Sequence, residues 1–120
     1  MTRELVVKVT CGIDAPERSN QGFTVAAAAA AGGTPVSLWL TGEAVWLATA
    51  ERGDELALPL ATPVPELLTT VLELGTVTVC SQCAARRLLA QEHLLPGVRI
   101  AGAAGFVEEA LREGAQALVY

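Results

Sequence analysis

The sequence predicts an α/β protein in three layers, α/β/α, with helices covering both faces of a mostly parallel five-stranded sheet. Short runs of Val, Ile and Leu alternate along the chain with segments of helical periodicity. The first of these runs is apolar at consecutive positions, as in a parallel strand buried on both faces. The 120 residues are 52% hydrophobic and 18% charged. That is enough for one core, so we expect residues 1–120 to form a single domain.

The first predicted element is a strand over residues 4–10, which contains four Leu and Val residues. A loop over residues 11–18 follows, because this segment holds a glycine and a proline. Ser19 or Asn20 then caps an alanine-rich helix, which the pair Gly32-Gly33 ends. The small side chains of this helix favour close packing on a sheet.

The middle of the chain begins with a strand over residues 35–40 and a short helix over residues 43–49. Residues 50–63 contain two prolines and a glycine and predict an irregular connection, with a short extended piece at 55–60. A loop of this length is often functional or lies at an interface. The leucine and valine spacing of residues 65–74 predicts a helix.

The last five elements again alternate between strand and helix, and Pro96-Gly97 separates the second from the third. They are a strand over 76–79, a helix from Ser81 or Gln82 to about Glu92, a strand over 98–101, a helix over 106–113 and a strand over 115–120.

Two cysteines three residues apart, Cys80 and Cys83, fall where the third strand gives way to a helix. The carboxyl edge of a parallel sheet is the usual ligand site in α/β proteins, and a helix that starts there directs free N–H groups into it. Such a position favours the thiolate and lowers the thiol pKa from about 8.5. Because the thiolate is the nucleophile, Cys80 and Cys83 are the candidate catalytic residues.

Several interpretations of this pair are open. One thiol carries sulfur, or both cycle to a disulfide, or the two form half of a metal site, or both are structural core residues. A zinc site needs four ligands, and only Cys11 and His93 remain as the usual partners. We therefore predict no metal and no cofactor, and a structural role for His93. Arg86 and Arg87 most simply extend along an amphipathic helix, although one of them facing the cleft would steady a thiolate.

Cys11 lies at the carboxyl end of the first strand. If strands one and three are neighbours, its thiol opens onto the same edge as Cys80 and becomes a resolving thiol or a pocket residue. The alternative is a small apolar side chain buried under the loop.

Composition excludes other classes. The net charge is −5 and Lys8 is the chain's one lysine, so a nucleic-acid surface is not expected. The apolar stretch over residues 23–31 is far shorter than the roughly 20 residues of a membrane span, and the N-terminus lacks signal-peptide features. We expect a cytoplasmic protein with no membrane association. Part of its apolar surface is expected to be buried between subunits.

Residues 4–120 resemble the DsrE/DsrF-like family, and within it the small YchN-type members. The order and spacing of several segments carry the resemblance. They are Ala15-Pro16 before Ser19-Asn20, Leu38-Trp39-Leu40-Thr41-Gly42-Glu43-Ala44-Val45, Val77-Thr78-Val79-Cys80-Ser81-Gln82-Cys83, Leu95-Pro96-Gly97-Val98 and Ala117-Leu118-Val119-Tyr120.

The resemblance implies an α/β/α domain that assembles into homotrimers or homohexamers. In sulfur-relay members a cysteine at the end of the third strand accepts sulfane sulfur as a persulfide, and this position falls on Cys80. Cys83 matches the second thiol of YchN-type members, and Cys11 has no counterpart. We therefore predict a sulfur carrier with donor and acceptor proteins. The alternatives are a dithiol oxidoreductase using Cys80 and Cys83, and a non-enzymatic oligomer that binds a small ligand.

Overall fold

The computed structural model describes residues 3–120. Five strands and four α-helices are present in this part of the chain. In order they are β1 (Glu4–Val9), α1 (Pro16–Ala31), β2 (Val36–Leu40), α2 (Val64–Leu74), β3 (Thr76–Cys80), α3 (Ser81–Arg86), β4 (Arg99–Ala101), α4 (Ala103–Ala110) and β5 (Ala115–Val119). Two short 3-10 helices lie at Gly42–Ala48 and Gln91–His93.

The five strands form one sheet in the order β4-β3-β2-β1-β5, and every neighbouring pair is parallel. The predicted α/β class and five-stranded sheet are confirmed, and the sheet is parallel throughout. Because all strands run the same way, their carboxyl ends lie along one edge. That edge gathers the loops after β1 and β2 and the start of the helix that directly follows β3.

Helices α1 and α2 pack against each other over one face of the sheet. Val7, Leu38 and Val77 are in register across β1, β2 and β3 and are fully buried, together with Phe23 of α1. Strand residues two positions apart share a face, so Val9, Leu40 and Val79 continue this apolar layer. This side holds the main hydrophobic core.

Helix α4 packs on the opposite face through Phe106. The in-register row on that face is polar apart from one tryptophan, and its members are Lys8, Trp39, Thr78 and Arg99. Trp39 is buried and meets Phe106 of α4 edge to face, with ring centroids 5.6 Å apart. This arrangement is a favourable aromatic geometry. The α4 side is therefore the thinner and more polar of the two outer layers.

The start of α1 differs from the prediction. The helix begins at Pro16, with Ala15 as its N-cap, so Ser19 and Asn20 lie inside the first turns and are both buried. Proline is well suited to the first helical position, because it has no N–H to leave unpaired there. The Asn20 side-chain amide donates a hydrogen bond of 3.0 Å to the carbonyl of Thr62 and so ties the long connection to α1.

Helix α3 ends at Arg86, about six residues before the predicted end. Leu88 has a positive φ of 58°, and the N–H of Leu89 bonds the carbonyl of Ala84 at 2.9 Å. This left-handed C-terminal turn usually takes glycine, so nothing in the composition signals it.

The short helix predicted over residues 43–49 is present as a 3-10 helix at Gly42–Ala48. Two smaller predictions are corrected, because no strand lies at 55–60 and α4 begins at Ala103 and ends at Ala110. Other element ends agree within about two residues, which is the usual uncertainty of helix and strand boundaries.

Candidate functional site at the carboxyl edge of β3

Cys80 is the last residue of β3 and also the N-cap of α3, so strand and helix join with no intervening loop. Its side chain is half-buried. Alternation along β3 places Cys80 on the same face as Thr78, the face that α4 covers. The candidate nucleophile is therefore at the predicted edge of the sheet.

The surroundings of Cys80 favour its thiolate. Partial burial alone would raise the pKa of Cys80. The backbone N–H of Cys83, the Cys83 thiol, the backbone N–H of Gln82 and the charge of Lys8 together outweigh burial and bring the pKa below the ordinary thiol value. With only six residues, α3 contributes a smaller dipole than the long helix predicted from the sequence.

Cys83 lies on the first turn of α3 and is buried. The guanidinium of Arg86 approaches the Cys83 Sγ at 4.0 Å, and Arg87 donates a hydrogen bond of 3.1 Å to the Cys83 carbonyl. Both cysteines are free thiols. The structure thus brings Cys80 and Cys83 together with one exposed and one half-buried arginine on the same helical segment.

Cys11 lies two residues beyond β1 and is buried. The premise that β1 and β3 are neighbours is wrong, because β2 lies between them. Burial, followed by the charge of Asp14, raises the pKa of the Cys11 thiol, and Arg18 opposes this only in part. Cys11 shares the carboxyl edge with Cys80 but is kept as a neutral thiol, and its role as a resolving or pocket residue stays a prediction.

The loops after β1 and β2 pack closely at this edge. Gly42 has a φ of +54°, and a Cβ there would lie 2.6 Å from the carbonyl oxygen of Thr10. The next residue, Glu43, pairs with Arg87 at 2.8 Å and accepts a hydrogen bond from the Trp46 indole at 3.3 Å. A carboxylate on the β2 loop therefore holds the segment that follows α3 in place.

Replacing Gly42 with alanine is expected to lower the free energy of unfolding by about 1–3 kcal/mol, because a side chain there is strained and clashes with Thr10. Urea denaturation measures the loss. Gly33 is a matched control, since its φ is +93° but nothing lies within 4 Å of its Cβ position. A Gly33→Ala change pays the backbone strain alone, so equal losses in the two variants would contradict the close approach at Gly42.

The α4 side of the sheet carries charges that the sequence analysis did not single out. Glu109 lies 3.6 Å from Arg99, accepts a hydrogen bond from the Trp39 indole at 3.2 Å and another from Ser37. Lys8 Nζ lies 4.8 Å from the Phe106 ring centroid. The available signal for Lys8 was a single lysine between two valines of β1. No local pattern links Glu109 to residues about 70 positions earlier.

His93 is exposed, and its Nδ1 accepts a hydrogen bond of 2.9 Å from the backbone N–H of Ala90. This contact gives His93 a local structural role in a short turn. Within residues 3–120, no three His, Cys, Asp or Glu side chains are grouped in a way that could hold a metal ion. No helix in the same range is long and apolar enough to cross a membrane.

Two clefts of about 570 and 530 Å³ lie along the connection between the first 3-10 helix and α2. Residues 58–62 form a wall of the second cleft, and Asn20 lines both. Neither cleft is lined by a cysteine. The half-buried Cys80 thiol therefore lies at the edge of the sheet and away from these two clefts.

Together, the parallel sheet and the thiol at the carboxyl end of β3 define an α/β protein with a cysteine site at the edge of the sheet. The sequence model of the DsrE/DsrF-like family matches residues 4–120. The chain belongs to the DsrE/DsrF-like family.

Solved structures agree in fold. The YchN protein of E. coli superposes with a TM-score of 0.82 at 16% identity, covering 99% of this chain and all of that one. MTH1491 of Methanobacterium thermoautotrophicum, a protein of unknown function, gives a TM-score of 0.74 at 10% identity, covering 98% and 99% of the two chains. BT1422 of Bacteroides thetaiotaomicron, a conserved protein of unknown function, gives 0.62 at 17% identity, covering 98% and 94%. No curated protein sequence matches the chain.

Proposed function

We propose that this protein is a sulfur carrier, in which the Cys80 thiolate accepts sulfane sulfur as a persulfide and passes it to an acceptor thiol. The observation that carries the proposal is a half-exposed thiol at an open edge, with a pKa lowered by its surroundings. Membership of the DsrE/DsrF-like family supports a sulfur-relay role.

Loading requires a donor persulfide, RS–SH. The Cys80 thiolate attacks the outer sulfur, the donor S–S bond breaks, and RS⁻ leaves with the electron pair of that bond. Cys80 then carries –S–SH, which loses its proton to RS⁻ or to water. In delivery, Cys80 is the leaving group instead of the nucleophile. An acceptor thiolate attacks the outer sulfur, and the Cys80 thiolate leaves. The groups that stabilise the Cys80 thiolate also make it a better leaving group.

A dithiol oxidoreductase is the second candidate, because the Cys83 thiol lies next to Cys80. In the presence of a persulfide donor, the sulfur-carrier reaction and the dithiol reaction share one intermediate, the Cys80 persulfide. Cys83 attacks the inner sulfur of the Cys80 persulfide, a Cys80–Cys83 disulfide forms, and HS⁻ leaves with the proton of Cys83. An external dithiol is then needed to reduce the disulfide. The third candidate, a small-ligand binding protein, has no cleft at the thiols to support it among the two described above.

Intact-mass spectrometry after incubation with a low-molecular-weight persulfide tests the proposal. The expected result is a gain of one sulfur atom that is absent in Cys80→Ser. In Cys83→Ser the gain should remain and persist longer, because the attack that releases HS⁻ has been removed. Loss of two hydrogens with no sulfur gained at any time would support the dithiol couple. No change in mass would overturn both thiol functions and leave ligand binding.

The carrier is expected to act in the cytoplasm between donor and acceptor proteins, as a homotrimer or homohexamer. Three exposed apolar side chains give an oligomer surface to bury: Val107 on α4, Leu111 directly after it and Val119 on β5. Light scattering coupled to size-exclusion chromatography measures the mass directly. A monomer at micromolar concentration would contradict the expected assembly without affecting the sulfur test.

A further inference from the structure

Lys8 is placed where a lysine is costly. It follows Val7 and precedes Val9 in β1, both fully buried, and its own side chain is half-buried on the α4 side of the sheet. Within residues 3–120 no carboxylate lies within 4 Å of its ammonium. Removing a charge from water without a counter-ion is unfavourable. The Phe106 ring offsets part of that cost through a cation–π contact.

The half-buried carboxylates Glu43 and Glu109 are each already paired with an arginine. Arg99 of β4 and Glu109 of α4 neutralise each other, and Arg99 also donates to the Thr78 hydroxyl at 2.8 Å. On the 3-10 helix and beyond α3, Glu43 is paired with Arg87. Arg86 is exposed and lies beside Cys83. Among the described residues, the half-buried Lys8 ammonium therefore has no carboxylate partner, whereas these two carboxylates are already paired.

Cys80 lies on the same face as Lys8. Lys8 is in register with Trp39 and, through it, with Thr78, and Cys80 is two residues farther along β3. Strand alternation returns residue i+2 to the same face, so Lys8 and Cys80 both lie on the α4 side. The charge of Lys8 is among the influences that lower the pKa of Cys80.

We propose that Lys8 is the electrostatic partner of the sulfur carried by Cys80, and that its unpaired ammonium stabilises the anionic outer sulfur of the persulfide. This inference rests on the proposed function. A persulfide places its negative charge on an outer sulfur about 2.05 Å beyond Sγ. The hydrogen-bond donors that surround Sγ are farther from this outer sulfur and stabilise its charge less than they stabilise the charge of a thiolate. The Lys8 ammonium acts on the sulfur through its charge, which extends farther than a hydrogen bond, and it can therefore stabilise the charge of the outer sulfur. The site is thereby selective for an anionic sulfane-sulfur adduct over a neutral disulfide.

The test compares Lys8→Met with Lys8→Arg, which keeps the charge, and with Arg112→Gln as a matched control. Arg112 pairs with Glu4 at the amino edge of the sheet, so its removal changes net charge equally but away from Cys80. In Lys8→Met, the rate of Cys80 alkylation at pH 7 should fall about three- to tenfold, and its pH midpoint should rise. Lys8→Arg and Arg112→Gln should follow the unmodified protein.

The persulfide is then followed by intact mass after removal of the donor. Lys8→Met should lose its sulfur at least about threefold faster, and Lys8→Arg should not. Unchanged alkylation and unchanged retention in Lys8→Met would overturn the inference. If the unmodified protein never gains sulfur, the carrier function fails, yet the alkylation profile still tests the Lys8 charge on Cys80. Should Lys8→Met unfold, shown by circular dichroism, Lys8→Gln replaces it in both measurements.

Discussion

Replacing Cys80 with serine is expected to lower the alkylation rate of the native protein by iodoacetamide at pH 7 by about 100-fold. The reagent reacts with thiolates that it can reach. Cys80 is half-exposed and its pKa is lowered, whereas Cys11 is buried and its pKa is raised. Cys83 is buried on α3. The rate is measured by mass spectrometry of alkylated native protein over a short time course.

The pH dependence of the same reaction follows from the direction of the Cys80 shift. A free thiol has a pKa of about 8.5. Because the pKa of Cys80 is lowered, its thiolate population saturates at a lower pH than that of a free thiol, and the alkylation rate reaches its plateau at that lower pH. Cys11→Ser is the control, and it should keep almost the whole native rate. A rate that falls with Cys11→Ser and not with Cys80→Ser would place the accessible thiolate at β1 and contradict the site.

The strand predictions succeeded because parallel strands buried on both faces leave a strong local pattern. Consecutive Leu and Val residues over 4–10 and β-branched residues over 76–79 allow little else. The placement of Cys80 followed from the same pattern, since the carboxyl end of a strand is fixed once the strand is known. The sheet order did not follow, because no local pattern says that β2 lies between β1 and β3. The prediction for Cys11 depended on that order.

The helix ends were predicted less well, for identifiable reasons. At the start of α1, Pro16 takes the first helical position and leaves Ser19 and Asn20 for buried positions, although their types favour capping. At the end of α3, Leu88 adopts a left-handed conformation that usually signals glycine. Tertiary contacts decide such positions. The tie between Asn20 and Thr62 spans 42 residues and has no sequence signature.

The electrostatics of the site could be predicted only in part. The sequence shows two cysteines three residues apart, but the groups that lower the pKa of Cys80 come from separate segments of the chain. Lys8 belongs to β1 and the N–H groups belong to α3. The Glu43–Arg87 pair joins residues 44 positions apart. Only the folded sheet brings β1, the β2 loop and α3 to one edge, so these relationships follow from topology rather than from composition.

Replacing Trp39 with alanine is expected to lower the free energy of unfolding by about 3–5 kcal/mol. Trp39 is 2% exposed, lies between Lys8 and Thr78 in the in-register row, and contacts Phe106 edge to face. Its indole also donates to Glu109, the carboxylate that holds Arg99. Alanine would leave a cavity beneath α4 and remove the donor of a partly buried hydrogen bond. Urea denaturation followed by far-ultraviolet circular dichroism measures the change without depending on tryptophan fluorescence.

Trp46 provides a matched comparison, because the same Trp→Ala change is made on a half-buried side chain. Trp46 donates to Glu43, and Arg52 stacks over its ring at 4.0 Å. Since water already reaches that ring, the loss should be about 0.5–2 kcal/mol, well below the Trp39 value. Equal losses would mean that α4 does not seal Trp39 against the sheet. In that event the α4 side would be open to solvent, and Lys8 would be a hydrated surface cation with little influence on the carried sulfur.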